Sequence, residues 1–164
     1  MKLSNIDQLL AYQDEHDKKY HADIYYQSTL FKLKHFTLHF SKYFSRLAQI
    51  DHTVAPINHK IMIDTLLITL STINAVNAPV QDVNLKGRNT GIIVFTSYAA
   101  SVEALAKSVD SLDHVESYPI KDTIIQVCKE LLFIVEQYIY NYSIQDFESL
   151  VINRYAEIRK IRLS

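Results

Sequence analysis

IYYQSTLFKLKHFTLHFSKYFSRLA, residues Ile24–Ala48, decides how this chain reads. Within it Lys32, His35, His39, Lys42 and Arg46 recur at intervals of 3, 4, 3 and 4. At about 100° per residue those intervals hold all five on one narrow stripe of a helix. The apolar set Leu30, Leu33, Phe36, Phe40, Phe44 and Leu47 falls on a different arc. The segment therefore predicts one long amphipathic helix with a cationic seam. Phe31, Leu38 and Ile24 flank the far side of that seam, while Gln27, Lys34, Ser41 and Ser45 form a second polar arc better suited to face water. The plain alternative is that the seam itself is the solvated face. If it is not, it lines a cleft or meets a partner. Five cationic or cationisable groups along about 20 Å of helix repel one another unless carboxylates or an anion stand opposite.

Working outward, the chain breakers set the fold class. There are two glycines, Gly87 and Gly91, and three prolines, Pro56, Pro79 and Pro119. A β-rich fold needs many positive-φ turns, which mostly use glycine. Here the breakers separate long stretches with helical periodicity, so an all-α fold is expected. A first helix over 4–20 opens at Ser4-x-x-Asp7, read as a capping box, and runs into the charged DEHDKKYHAD (Asp14–Asp23), read as its end plus a connection. His59–Asn77 is apolar on nearly every side, the pattern of a central helix surrounded by its neighbours. Further helices follow over Ile92–Leu112, from Pro119 onward, and from a second capping box at Ser143-x-x-Asp146 to about Ile161. The expected architecture is one domain, a bundle of five or six helices around His59–Asn77.

Bulk properties narrow the function classes. Apolar residues at 48% and charged residues at 21% are ordinary for a globular domain able to bury a core. A formal charge of −1 gives no basic surplus, so no nucleic-acid partner is expected. One cysteine, Cys128, excludes an intrachain disulfide, and its apolar row makes it a core residue rather than a nucleophile. Asp7 precedes any apolar run of signal-peptide length, and the longest uncharged stretch, Thr65–Gln81, is short for a membrane span. A cytoplasmic protein without membrane contact is the expectation. The aromatic side chains Tyr25, Tyr26, Tyr43 and Phe44 offer more apolar surface than one bundle easily hides, which predicts a homodimer.

Four arrangements could carry chemistry. The cationic seam predicts an anion-binding groove, with phosphate the favoured anion and Asp64, Asp14, Glu15, Asp17 and Asp23 as internal counter-charges. His35 and His39, four apart, suit a divalent metal that His16, His21, Asp17 or Asp23 would complete, but lysines in the same row argue against it, and no metal site is assigned. KGRNTG (Lys86–Gly91) before a helix has the makings of a phosphate cradle but lacks the Walker ending. Arg46 and His52 resemble the Arg-x(4–6)-His pair of HEPN-type ribonucleases, with Leu47 where a polar residue is usual.

KHFTLHFSKYFSRLA (Lys34–Ala48) followed by HKIMIDTLLITLSTINAVNAP (His59–Pro79) resembles the two central helices of the MazG-like, all-α nucleoside triphosphate pyrophosphohydrolases. Ser45-Arg46-Leu47 stands where that family has a Gly-Glu-Leu-like step. Asp64-Thr65-Leu66-Leu67 matches its Asp and aliphatic continuation. The resemblance spans residues 34–80, roughly a third of the chain. It implies a helical bundle with a nucleotide site and a carboxylate quartet for Mg²⁺. Of the quartet only Asp64 is acidic here; Lys42 or Tyr43, Arg46 and Ile61 stand where glutamates would. Mg²⁺ requires oxygen ligands. The expectation is therefore a MazG-like protein binding a phosphate-bearing or other anionic ligand through Lys32, His35, His39, Lys42, Arg46 and Asp64, without cofactor or pyrophosphohydrolase activity. Two alternatives stand beside it. One is an interaction module that oligomerises through this helix; the other is a metal-dependent pyrophosphohydrolase with atypical ligands such as Asp14, Glu15, Asp17 and Asp64, for which Mg²⁺ would be the cofactor.

Overall fold

The structure is a computed structural model that describes residues 6–49, 59–79, 94–113, 118–141 and 143–163. Among the described residues there are seven helices and no strand. They are α1 (Ile6–Tyr20), α2 (Ala22–Tyr25), α3 (Thr29–Ala48), α4 (His59–Ala75), α5 (Val94–Asp113), α6 (Ile120–Asn141) and α7 (Phe147–Leu163). The all-α expectation holds. The helix beyond the expected five or six arises because Ile24–Ala48 is not continuous. Ser28 turns out of helical geometry (ψ 154°) and its hydroxyl accepts from the Phe31 amide at 3.3 Å. A serine that caps a new helix competes with continuation of the old one. The charged decamer accordingly covers the last turns of α1, the corner at His21 and the start of the short α2, and the seam helix starts at Thr29.

The central helix is where the sequence puts it. From Ile61 to Ile73 every α4 residue except Ile68 is buried, and α1, α3, α6 and α7 all pack on it. α5 packs on α3 and α6. Hydroxyls are buried along α4 because the helix itself satisfies them. Thr65, Thr69 and Thr72 each donate to the carbonyl four residues back at 2.7–2.8 Å. Cys128 is fully buried and its thiol is pushed up to about 12, a core residue as expected.

Two helix ends are closed by left-handed residues that are not glycine, Asn77 and Ser143, both at φ 47°. Each makes a Schellman pair: Ala78 N–H to Ile73 C=O with Asn77 N–H to Asn74 C=O, and Ile144 N–H to Ile139 C=O with Ser143 N–H to Tyr140 C=O. Ser143 therefore closes α6 and does not open α7. The cap of α7 is Asp146, whose Oδ1 accepts from the Ser149 amide at 3.3 Å. The Ser4 capping box, the Lys86–Gly91 loop and His52 lie outside the described residues.

The aromatic surface behind the homodimer expectation is partly consumed within the chain. Tyr43 is buried, and Phe44 stacks on Phe95 at 4.9 Å between centroids. Tyr26, Phe31 and Leu38 remain exposed. No helix among the described residues is long and apolar enough to cross a membrane.

Candidate functional site

A cleft of about 430 Å³ opens between α1, α2, α3, α4 and α7. Each wall follows from helical spacing. α3 contributes Lys32, His35 and His39 from the cationic seam, with Tyr43 one turn further on. α4 contributes Asp64, Leu67, Ser71 and Asn74, again at intervals of 3, 4 and 3, with Ile68 and Ala75 beside them, so the cleft face of the central helix mixes its polar side chains with apolar ones. α7 contributes Arg154, Ile158 and Arg162, a row at i, i+4 and i+8. Gln13, Asp14, His16 and Asp17 come from α1, and His21 and Tyr25 from the α2 corner.

The expected ligand residues divide. Lys32, His35, His39 and Asp64 line the cleft; Lys42 and Arg46 are exposed and lie outside its lining. The break at Ser28 does not disturb the stripe, but at the end of the cleft Tyr43 is turned inwards and the neighbouring Lys42 outwards, and Arg46 follows one turn after Lys42, so the last two cations of the seam stand outside the lining. Lys42 still acts on the site. Its Nζ sits 3.2 Å from Nδ1 of His39, and the Tyr43 hydroxyl approaches the same nitrogen at 3.1 Å. An ammonium only donates, so Nδ1 accepts and the neutral ring carries its proton on Nε2. Burial, then Lys42 and His35, lowers the pKa of His39 to about 4. Burial likewise depresses His35 and His21, reinforced by Lys42 at the first and Arg162 at the second. These three histidines are thus neutral, hydrogen-bonding walls at neutral pH. Lys32 lies 5.0 Å above the Tyr25 ring, and no carboxylate among the described residues pairs with it.

The carboxylates opposite are already held. Arg154 grips Asp64 with two bonds, Nε to Oδ1 at 2.6 Å and Nη2 to Oδ2 at 3.1 Å, and its Nη1 reaches Glu157 at 2.8 Å. Asp17 accepts from Gln13 at 2.8 Å and from the Ser71 hydroxyl at 2.5 Å, while Tyr155 donates to Gln13 at 2.6 Å. Asp14 accepts from the Tyr25 hydroxyl at 3.3 Å. These bonds answer the question of what faces the seam: three acids do, each with its own donors. They also bear on Mg²⁺. Asp64, the acid expected from the sequence to face such an ion, has both oxygens engaged by a guanidinium, and Arg46 and Ile61 offer no carboxylate. The residues present do not fit that ion there.

Sequence reasoning did not single out Arg154, Arg162 or the Gln13–Ser71–Tyr155 chain. Arg154, Ile158 and Arg162 form a visible i, i+4, i+8 row, a signal from which a second cationic wall could have been read. No family model matches the chain, and no curated protein or solved structure does either.

Proposed function

We propose that the protein binds a small anionic molecule, a phosphate-bearing one such as a nucleotide in the first instance, in the cleft between α1, α3, α4 and α7. One observation carries this reading: Lys32 on α3 and Arg154 and Arg162 on α7 line one cleft together, Arg154 from within it and Arg162 at its exposed rim. Its volume falls among those typical of small-molecule sites. Lys32 supplies charge that no carboxylate among the described residues absorbs, and His35 and His39 supply neutral donors that set orientation. A MazG-like relationship is supported by Asp64 facing the cleft from the helix that follows the seam helix. The salt bridge of Asp64 to Arg154 supports a binder without metal-assisted hydrolysis.

The test is thermal shift of the full chain with phosphate, pyrophosphate and nucleoside mono- and triphosphates, with and without Mg²⁺. Saturable stabilisation that does not need Mg²⁺ and is lost in Lys32→Gln is the expected result. A melting temperature unmoved by every one of these at millimolar concentration removes the proposal. A second reading has its own observation: Phe31 and Leu38, seven apart on α3, are 47% and 71% exposed. They would suit an interaction module whose contact with a second copy uses the outer face of α3. Light scattering distinguishes it, because Leu38→Lys would then lower the mass of the particle.

A further inference from the structure

Beside the anion-facing residues lies a cluster that the proposed function does not use. His16, Asp17 and His21 each present one ligand atom, and these atoms lie within 4.8 Å of one another. We propose that they form a binding site for a divalent transition-metal ion of the zinc type.

The first argument is this convergence of two imidazoles and a carboxylate. An N₂O set of that kind suits zinc and its first-row neighbours rather than Mg²⁺ or Ca²⁺. The second is independent of it. His16 is 4% exposed, yet neither of its ring nitrogens has a hydrogen-bond partner among the described residues. Tyr20, His21 and Tyr155 surround it only with ring contacts at 4.7–5.7 Å. A buried polar group without a partner is costly, and native structures rarely retain one without an ion, a water or a function to explain it. The third is the support behind Asp17. Gln13 and Ser71 each donate to one of its oxygens, and Tyr155 fixes Gln13 in turn. Metal-ligating carboxylates are typically oriented by such outer hydrogen bonds.

Binding requires two adjustments. With metal–ligand bonds of about 2.0–2.2 Å, tetrahedral ligand atoms stand roughly 3.4 Å apart, so the cluster has to contract. His21 is the member placed to move, half-buried at the corner between α1 and α2. Arg162 also has to yield, because its Nη2 donates to Nδ1 of His21 at 3.0 Å. If the metal takes Nδ1, the guanidinium is displaced directly. If it takes Nε2, Nδ1 must carry the proton and no longer accepts. Either way Arg162 competes with the metal and retreats to Asp23, 3.4 Å from its Nη1. The remaining coordination positions open into the cleft, since all three ligands line it.

The experiment uses the untagged full chain, stripped with chelator and titrated with Zn²⁺ by calorimetry and with Co²⁺ by visible absorption. The expected result is one saturable equivalent with Co²⁺ bands of a four- or five-coordinate site. His21→Ala and Asp17→Asn should each weaken it about tenfold or more, the scale on which metal-site partners act. Arg162→Met should strengthen it, which a purely structural role for these residues would not produce. Circular dichroism verifies that each variant folds, and His21→Ala, altering a half-buried ligand at the corner between α1 and α2, is the decisive one. No saturable equivalent in the parent chain, or unchanged affinity in folded His21→Ala, overturns the proposal. Because the probe is metal alone, this outcome is independent of whether phosphate compounds bind at Lys32.

Discussion

The two halves of the bundle that meet on α4 are built on different principles. Towards α5 and α6 the interior is mainly apolar: Leu105, Leu131, Leu132 and Val135 are essentially inaccessible, as is Leu70 of α4, and the side-chain hydrogen bonds from α4 to these helices are isolated pairs, Thr65 with Tyr98 and His59 with Tyr138. Towards α1 and α7 the interior is a network of directional bonds among Gln13, Asp17, Ser71, Tyr155, Asp64 and Arg154. Apolar burial is non-directional and proportional to area. A polar network stabilises only while every member has its partner. The comparison teaches that one half holds the fold and the other holds a shape and a charge pattern, at some expense of stability.

The largest expected effects test that division directly. Leu70→Ala removes a fully buried side chain from the closely packed half and should cost about 2–5 kcal/mol, towards the upper part of that range. Leu67→Ala, one turn away, opens instead onto the cleft, where water can enter, and should cost less. Urea unfolding measures both; equal losses would break the distinction between the halves. Next in size is the ion pair. Arg154→Ala leaves Asp64, 7% exposed, without its bidentate partner, and should cost about 3 kcal/mol. The double change Asp64→Leu with Arg154→Met should recover most of that loss, since a buried pair contributes little relative to apolar residues of similar size.

Acid should act on the cleft half through its histidines. The unfolded chain takes up protons on histidine near the ordinary 6.5, whereas folded His39 resists until about 4, and His35 and His21 are shifted the same way. Between those values the unfolded state binds more protons, so stability is lost as pH falls through this window and is fully present above it. Melting curves from pH 7.5 to 4.5 check the slope, and His39→Gln should flatten it. An anion in the cleft favours the protonated histidines, so sulfate, whose own charge is constant over this range, should raise the melting temperature more at pH 5.5 than at pH 7.5.

How far the sequence carried this division follows from the range over which each signal acts. The central helix and the seam of Lys32, His35 and His39 were legible because helical spacing is local and repeats. The retreat of Lys42 and Arg46 from the cleft was not, because it depends on how α3 is turned against its neighbours, Tyr43 facing in where Lys42 faces out. Nor was the role of Arg154, 90 residues from the Asp64 it grips: a pairing so distant leaves no trace in any short window. The break at Ser28 was legible in principle, a serine followed three residues later by the amide it caps. The strong amphipathic pattern on both sides overrode it.

The smallest effect concerns how the two helices end. Asn77 closes α4 at the cleft and Ser143 closes α6 away from it, both in the same left-handed Schellman geometry. Asparagine visits that region with little penalty, whereas serine lacks the compensating amide and carries a Cβ that the geometry disfavours. Ser143→Gly should therefore stabilise by a few tenths to about 1 kcal/mol, the relief of Cβ strain exceeding the added freedom of the unfolded chain. Asn77→Gly should be close to neutral by the same balance. Paired melting temperatures measure the difference, and its sign matters more than its size. If Asn77→Gly proves the more stabilising of the two, the strain sits at the cleft, and the polar half is then the less relaxed in its backbone as well as in its burial.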